Sequence, residues 1–140
     1  MQGVHYVGSG EIRTRFAVVG FPWDFGASLG RPGARYGPDA IRNACRWNLA
    51  RIRNDRVWDL EGGRVIDVSG LELVDSGDVF IAAHDQPRTF ANARELIGQA
   101  LSAGRIPIVL GGDHSISLPG IEALVQATDR PVGIIQIDAH

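Results

Sequence analysis

A chain of 140 residues, 44% of them apolar and 21% charged, suffices for one globular domain with a real core and is too short for two. A net charge of -2, with all fourteen basic residues arginine and scattered along the chain, argues against a nucleic-acid footprint. No apolar run reaches the roughly 20 residues of a membrane span, and the opening MQGVHYVGSGEIR lacks the plan of a signal peptide, so a cytoplasmic protein with no membrane partner is expected.

The first fourteen residues are polar and Gly-rich. Gly8-Ser9-Gly10 begins like a dinucleotide fingerprint, but Arg13 stands where the third glycine belongs and no strand precedes it, so that motif is rejected. Arg15 to Phe21 reads as the first strand. The loop behind it, Pro22 to Arg35, is dense in Gly, Pro and Arg; a long loop directly after a strand is either functional or pinned to the core by Trp23 and Phe25.

Gly37-Pro38-Asp39 opens a helix, with proline in its first turn and an acid near the positive end of the dipole. Ile41, Ala44, Cys45, Leu49 and Ile52 recur at helical spacing and predict its buried stripe; Asn48 shares that stripe and Trp47 lies off it. Cys45 is the sole cysteine, which excludes an internal disulfide or a thiolate zinc site and makes it a small buried residue. Val57 to Leu60 and Val65 to Val68 are candidate short strands around Gly62-Gly63, and Asp75-Ser76-Gly77-Asp78-Val79 reads as a strand end or turn.

His84 sits in a polar connector and His5 near the N-terminus; both read as exposed and without a metal role. Asp85 or Gln86 caps the next helix, with Pro87 near its start, Phe90, Ala93, Ile97 and Leu101 on its buried face, and Gly104 at its end. Strand Ile106 to Leu110, a Gly111-Gly112-Asp113-His114 turn, a helix from about Leu118 to Ala127 and a strand Val132 to Ile137 complete the chain. The alternation predicts an α/β fold: a doubly wound, mostly parallel sheet with helices on both faces.

Both late strands are followed at once by acidic and imidazole residues, and parallel sheets collect chemistry beyond the carboxyl ends of their strands. Asp138 and His140 are two apart, so an extended backbone points both to one face. The glycine pair before Asp113 allows the sharp turn that would swing His114 over the strand tip. Either cluster alone is weak; together, at matching strand ends, they point to a divalent metal site. An oxygen and nitrogen donor set without thiolate favours Mn²⁺, with Ni²⁺, Co²⁺ or Zn²⁺ open. Asp113 could bind metal or orient the neighbouring imidazole, and the second is preferred.

These segments resemble the ureohydrolase family of agmatinases, arginases and guanidinobutyrases. The resemblance rests on Gly20-Phe-Pro-Trp-Asp-Phe-Gly-Ala-Ser28, Arg31-Pro-Gly-Ala-Arg-Tyr-Gly-Pro-Asp-Ala-Ile-Arg42, Asp75-Ser-Gly-Asp78, Gly111-Gly-Asp-His-Ser-Ile-Ser117 and Ile137-Asp-Ala-His140, in the family's order, with the Arg-Pro-Gly-Ala-Arg stretch leaning toward the agmatinase branch. It implies a two-metal centre, usually manganese, that hydrolyses a guanidino compound to urea and an amine. Carried over, His114 is implied to ligate one metal, Asp138 to bridge the two, and His140 to ligate the other.

The family's Asp-Ala-His motif continues to a further aspartate, and a later Asp-x-Asp supplies more ligands. Residues 1–140 are therefore expected to be the N-terminal part of a single ureohydrolase-type domain, inactive alone, completed by a C-terminal half and assembled as a trimer or hexamer. Agmatine is the leading substrate; guanidinobutyrate, guanidinopropionate, free guanidine and other amidino compounds are alternatives. A non-catalytic ureohydrolase-like subunit is the competing reading, disfavoured because both histidines and Asp138 are present.

Overall fold

In the computed structural model, which describes residues 14–26 and 30–139, strand β1 (Thr14–Phe21) is the middle of a three-stranded parallel sheet. On one side it pairs with β4 (Leu71–Asp78), Thr14 opposite Leu71; on the other it pairs with β5 (Ile106–Gly111), Phe16 opposite Ile106 and Phe21 opposite Gly111. Since all three run the same way, the tips at Phe21, Asp78 and Gly111 lie along one sheet edge. The β4 register slips between Val18 and Gly20, which brings Gly20 opposite Asp78. The expected strand end at Asp75–Asp78 is thus the last turn-free stretch of a full strand that begins at Leu71.

Alternation along β1 separates the two faces of the sheet. Val19 and Phe21 point into a core with Trp23, Val79, Phe90, Ala93, Ile97 and Ala123. Phe90, Ala93 and Ile97 belong to α2 (Gln86–Ser102), and Ala123 to α3 (Ser117–Gln126). Phe21 and Trp23 both meet Phe90 edge-on, with ring centroids 6.0 and 5.9 Å apart, the favoured geometry for aromatic quadrupoles. The α2 cap is as expected: the Asp85 carboxylate accepts from Arg88 N at 2.9 Å, and Gly104 adopts φ +70 just past the helix end. The partly buried Leu101 packs against the same core, which Thr89 and Ala100 extend.

On the opposite face lies α1 (Gly37–Leu49), reached through a 3-10 turn at Ala34–Tyr36. Here the stripe expectation fails. Ile41, Ala44, Cys45 and Leu49 are exposed, and Pro38 alone in the helix is buried. Periodicity identified the residues that share a face, but no described element lies over that face. Trp47 is also exposed, with the Arg51 guanidinium 3.2 Å above its ring.

The glycine-centred hairpin forms as expected: β2 (Arg56–Asp59) pairs antiparallel with β3 (Arg64–Asp67). The last expected strand does not. Residues 131–139 have no strand pairing, and Ile135 and Ile137 are 92% and 97% exposed. A strand needs a neighbour for its N–H and C=O groups, and none of the described strands flanks this segment. His5 and the Gly8-Ser9-Gly10 stretch lie outside the described residues, and His84 is exposed in its connector. No described helix is long and apolar enough to cross a membrane.

Candidate metal centre

The tip of β5 is held by its neighbours from three sides. Gly112 N donates to Ala34 O at 3.1 Å, and Asp113 N donates to Trp23 O at 2.8 Å. Gly112 has φ +93, and a Cβ there would stand 2.6 Å from Phe21 O and 2.8 Å from Trp23 O. A Cβ on Gly37, at the start of α1, would stand 2.4 Å from Gly111 O. Gly112 and Gly37 therefore serve backbone-to-backbone contact, while Gly111 makes room for the Ile116 side chain.

Asp113 is buried and anchors the turn. One carboxylate oxygen accepts from the N–H and the hydroxyl of Ser115, capping the short 3-10 segment His114–Ile116; the other accepts from Gly26 N at 2.8 Å. The loop after β1 is thereby tied to the turn after β5. That loop has its own anchor in Asp24, whose side chain is fully buried and receives the Arg35 guanidinium, Gly33 N at 2.6 Å and Arg35 N at 3.2 Å. Trp23 is buried in the core while Phe25 stays exposed under Arg35, at 4.3 Å from its ring centroid, so one of the two expected aromatic pins is in place.

The Arg35 guanidinium beside Asp24 holds its carboxyl below the ordinary value of 3.8, against the upward push of burial, with the Gly33 and Arg35 amides assisting. A folded-state value below the unfolded one means that the unfolded chain binds more protons. The stabilisation is present above the unfolded value and is lost as pH falls through the folded one. Denaturation midpoints measured from pH 7 down to pH 3 are accordingly expected to fall more steeply below pH 4 in the parent than in Asp24→Asn. Parallel curves would refute the assignment.

From this turn His114 projects toward the extended segment 131–139, and its Nδ1 lies 3.1 Å from Asp138 Oδ2. The Asp138 side chain is 18% exposed and the His114 side chain 46%. Gln136 Nε2 donates to the same carboxylate oxygen at 2.9 Å. Two of the three expected ligands are thus side by side, contributed by segments far apart in sequence. The third, His140, lies outside the described residues, and among the described residues no group of three or more His, Cys, Asp and Glu side chains is placed to hold a metal ion. An imidazole nitrogen and a carboxylate oxygen can share a proton at this separation, or serve one hard cation.

Sequence reasoning assigned no role to Asp24, Arg35 or Arg42. Arg42 on α1 places Nε and Nη2 on the two oxygens of Asp75 at 2.8 and 2.9 Å, Nη1 on Asp78, and Nη2 also on Gly77 O at 3.1 Å. It is thus an α1 side chain gripping the tip of β4. The fork is a bidentate pair of the stronger kind and holds Asp75 below its ordinary range. The Asp75-Ser-Gly-Asp78 stretch signals two carboxylates but nothing about the partner of Asp75 33 residues away.

Comparison with known proteins agrees with this architecture. The model of the Arginase family matches residues 14–140. The chain is 36% identical over 124 residues to the mitochondrial agmatinase of Gallus gallus, covering 89% of this chain and 34% of that protein. It is also 36% identical over 123 residues to the formimidoylglutamase of Halobacterium salinarum, covering 88% and 36%. Among solved structures, a hypothetical agmatinase from Burkholderia thailandensis superposes with a TM-score of 0.74 at 31% identity, over 91% of this chain and 38% of the other. The Mn²⁺ form of oxidized Trypanosoma cruzi formiminoglutamase at pH 6.0 gives a TM-score of 0.68 at 31% identity, over 89% and 40%. The chain spans little more than a third of the length of these relatives. With the sheet order, the strand-edge motifs and a match over nearly its whole length in agreement, the chain belongs to the arginase family.

Proposed function

We propose that this chain is the N-terminal part of a binuclear-metal hydrolase that releases urea and an amine from a guanidino compound, agmatine first among candidates. The observation that carries the reading is the 3.1 Å approach of His114 Nδ1 to Asp138 Oδ2. An imidazole nitrogen and a carboxylate oxygen at that separation could hold one hard cation between them. The donor set, imidazole and carboxylate without thiolate, suits Mn²⁺, the ion named with the Trypanosoma cruzi relative. In this reading His114, Asp138 and His140 would hold the two ions. Bound together, two such ions supply hydroxide at neutral pH by depressing the pKa of a shared water.

The chain's own residues do the rest of the work assigned here. Asp113, locked by Gly26 and Ser115, fixes the backbone from which His114 projects. The Gln136 amide on Asp138 fixes the rotamer of that carboxylate. A guanidinium stays protonated in water, with a pKa above about 12, so a site rich in carboxylate favours its entry. The formimino compounds named with two relatives share the same reacting carbon between nitrogens, and they form the second substrate class.

The test is hydrolysis by the whole enzyme of which this chain forms part, read as urea release from agmatine, guanidinobutyrate, guanidinopropionate, arginine and free guanidine, and as formamide release from formiminoglutamate. Metal-stripped enzyme should regain activity with Mn²⁺. Equal activity before and after stripping would end the metal-hydrolase reading, and inactivity on all substrates with Mn²⁺ loaded would favour a non-catalytic subunit.

A further inference from the structure

The geometry points to Arg42 as a positioning residue for the metal turn, acting through α1, an inference that rests on the metal reading just given. Arg42 does not touch His114. Its side chain is only 15% exposed, and the guanidinium is spent on the tip of β4, on both oxygens of Asp75, one of Asp78 and the carbonyl of Gly77. The N-terminus of the same helix, five residues before Arg42, bears on the tip of β5. Gly37 is packed so closely on Gly111 O that a Cβ there would stand 2.4 Å from it, and Ala34, in the 3-10 turn leading into α1, accepts from Gly112 N.

The helix therefore bridges the two outer strands across β1. Space beneath it is cleared by Gly20, where a Cβ would collide with Asp78 Oδ1 and stand 2.9 Å from Arg42 Nη1. Among the described residues nothing covers the apolar stripe of α1: Ile41, Ala44 and Leu49 are exposed. Among the described residues the helix is held by the fork at Arg42, the close contact at Gly37 and the buried Pro38. Loosening the fork frees α1 to lift from Gly111, and with it the support behind His114.

Lysine keeps the charge of Arg42 but can make only point contacts, so it separates fork geometry from charge balance. In the whole enzyme, Arg42→Lys is expected to weaken Mn²⁺ binding, measured by calorimetry on stripped protein, by about 10- to 100-fold, the range for residues that support metal ligands from behind. Amide exchange at Gly112 and Asp113 should speed up in the same variant. Arg94→Ala serves as the stability control, since it breaks the Arg94–Glu122 pair at 2.7 Å between α2 and α3 on the opposite face. It should leave Mn²⁺ affinity within about twofold, a surface ion pair being worth little. His114→Ala calibrates the metal reading itself. If His114→Ala weakens binding while Arg42→Lys does not, the positioning role is wrong and the metal reading stands. If Arg94→Ala weakens binding as much as Arg42→Lys, the effect is general destabilisation and the positioning role is wrong. If His114→Ala leaves binding unchanged, both fall together.

Discussion

Replacing His114 by alanine in the whole enzyme is expected to lower Mn²⁺ affinity and urea release together by more than about 100-fold, beyond the range for residues that merely support a ligand. His114 Nδ1 already lies 3.1 Å from Asp138 Oδ2, so removing the ring withdraws one of two donors that converge without further folding. The stability of the protein should change little, because the side chain is close to half exposed and adds nothing to the aromatic core. Metal content after dialysis, read beside a thermal melt, separates the outcomes. A variant that keeps two ions per chain would remove His114 from the centre, and a large fall in melting temperature would make it a folding residue instead.

The second large effect is expected at Gly112→Ala. The residue combines φ +93, a region costly to any side chain, with two carbonyl oxygens inside 3 Å of the new methyl group. Neither oxygen can yield freely: Trp23 O accepts Asp113 N and Phe21 O accepts Trp23 N, both at 2.8 Å. Backbone strain and overpacking contribute about 1 to 3 kcal/mol each, so a loss of about 2 to 6 kcal/mol is expected. Urea denaturation at constant m-value measures it. A loss under about 1 kcal/mol would mean that the turn has room the structure does not give it. Glycine at this point is thus demanded by what lies behind the turn as well as by the sharp turn that the sequence suggested.

That difference marks what was legible in the chain. Features set by near neighbours were readable: the Asp85 cap, the Gly104 stop, the hairpin around Gly62-Gly63, and the apolar run at Ile106–Leu110. So were His114 and Asp138 as candidate partners, because each follows an apolar run that reads as a strand, although only the first run forms one. Features set by distant partners were not. Nothing local in Asp24 announces Arg35, and nothing in Arg42 announces Asp75 and Asp78. The α1 stripe shows the converse failure: helical spacing places Ile41, Ala44 and Leu49 on one side without saying whether anything covers that side. Val132 to Ile137 has the composition of a buried strand, but composition does not supply the flanking strand that would bury it.

That uncovered segment bears on how the polypeptide must be handled. Ile134, Ile135 and Ile137 are exposed, and among the described residues no strand pairs with the outer flank of β5. Open strand edges next to β-branched residues recruit whatever extended backbone arrives first, including that of an identical molecule. Loss of soluble material would then rise with protein concentration, and the order in which chain segments meet during synthesis would decide between the native sheet and intermolecular stacking.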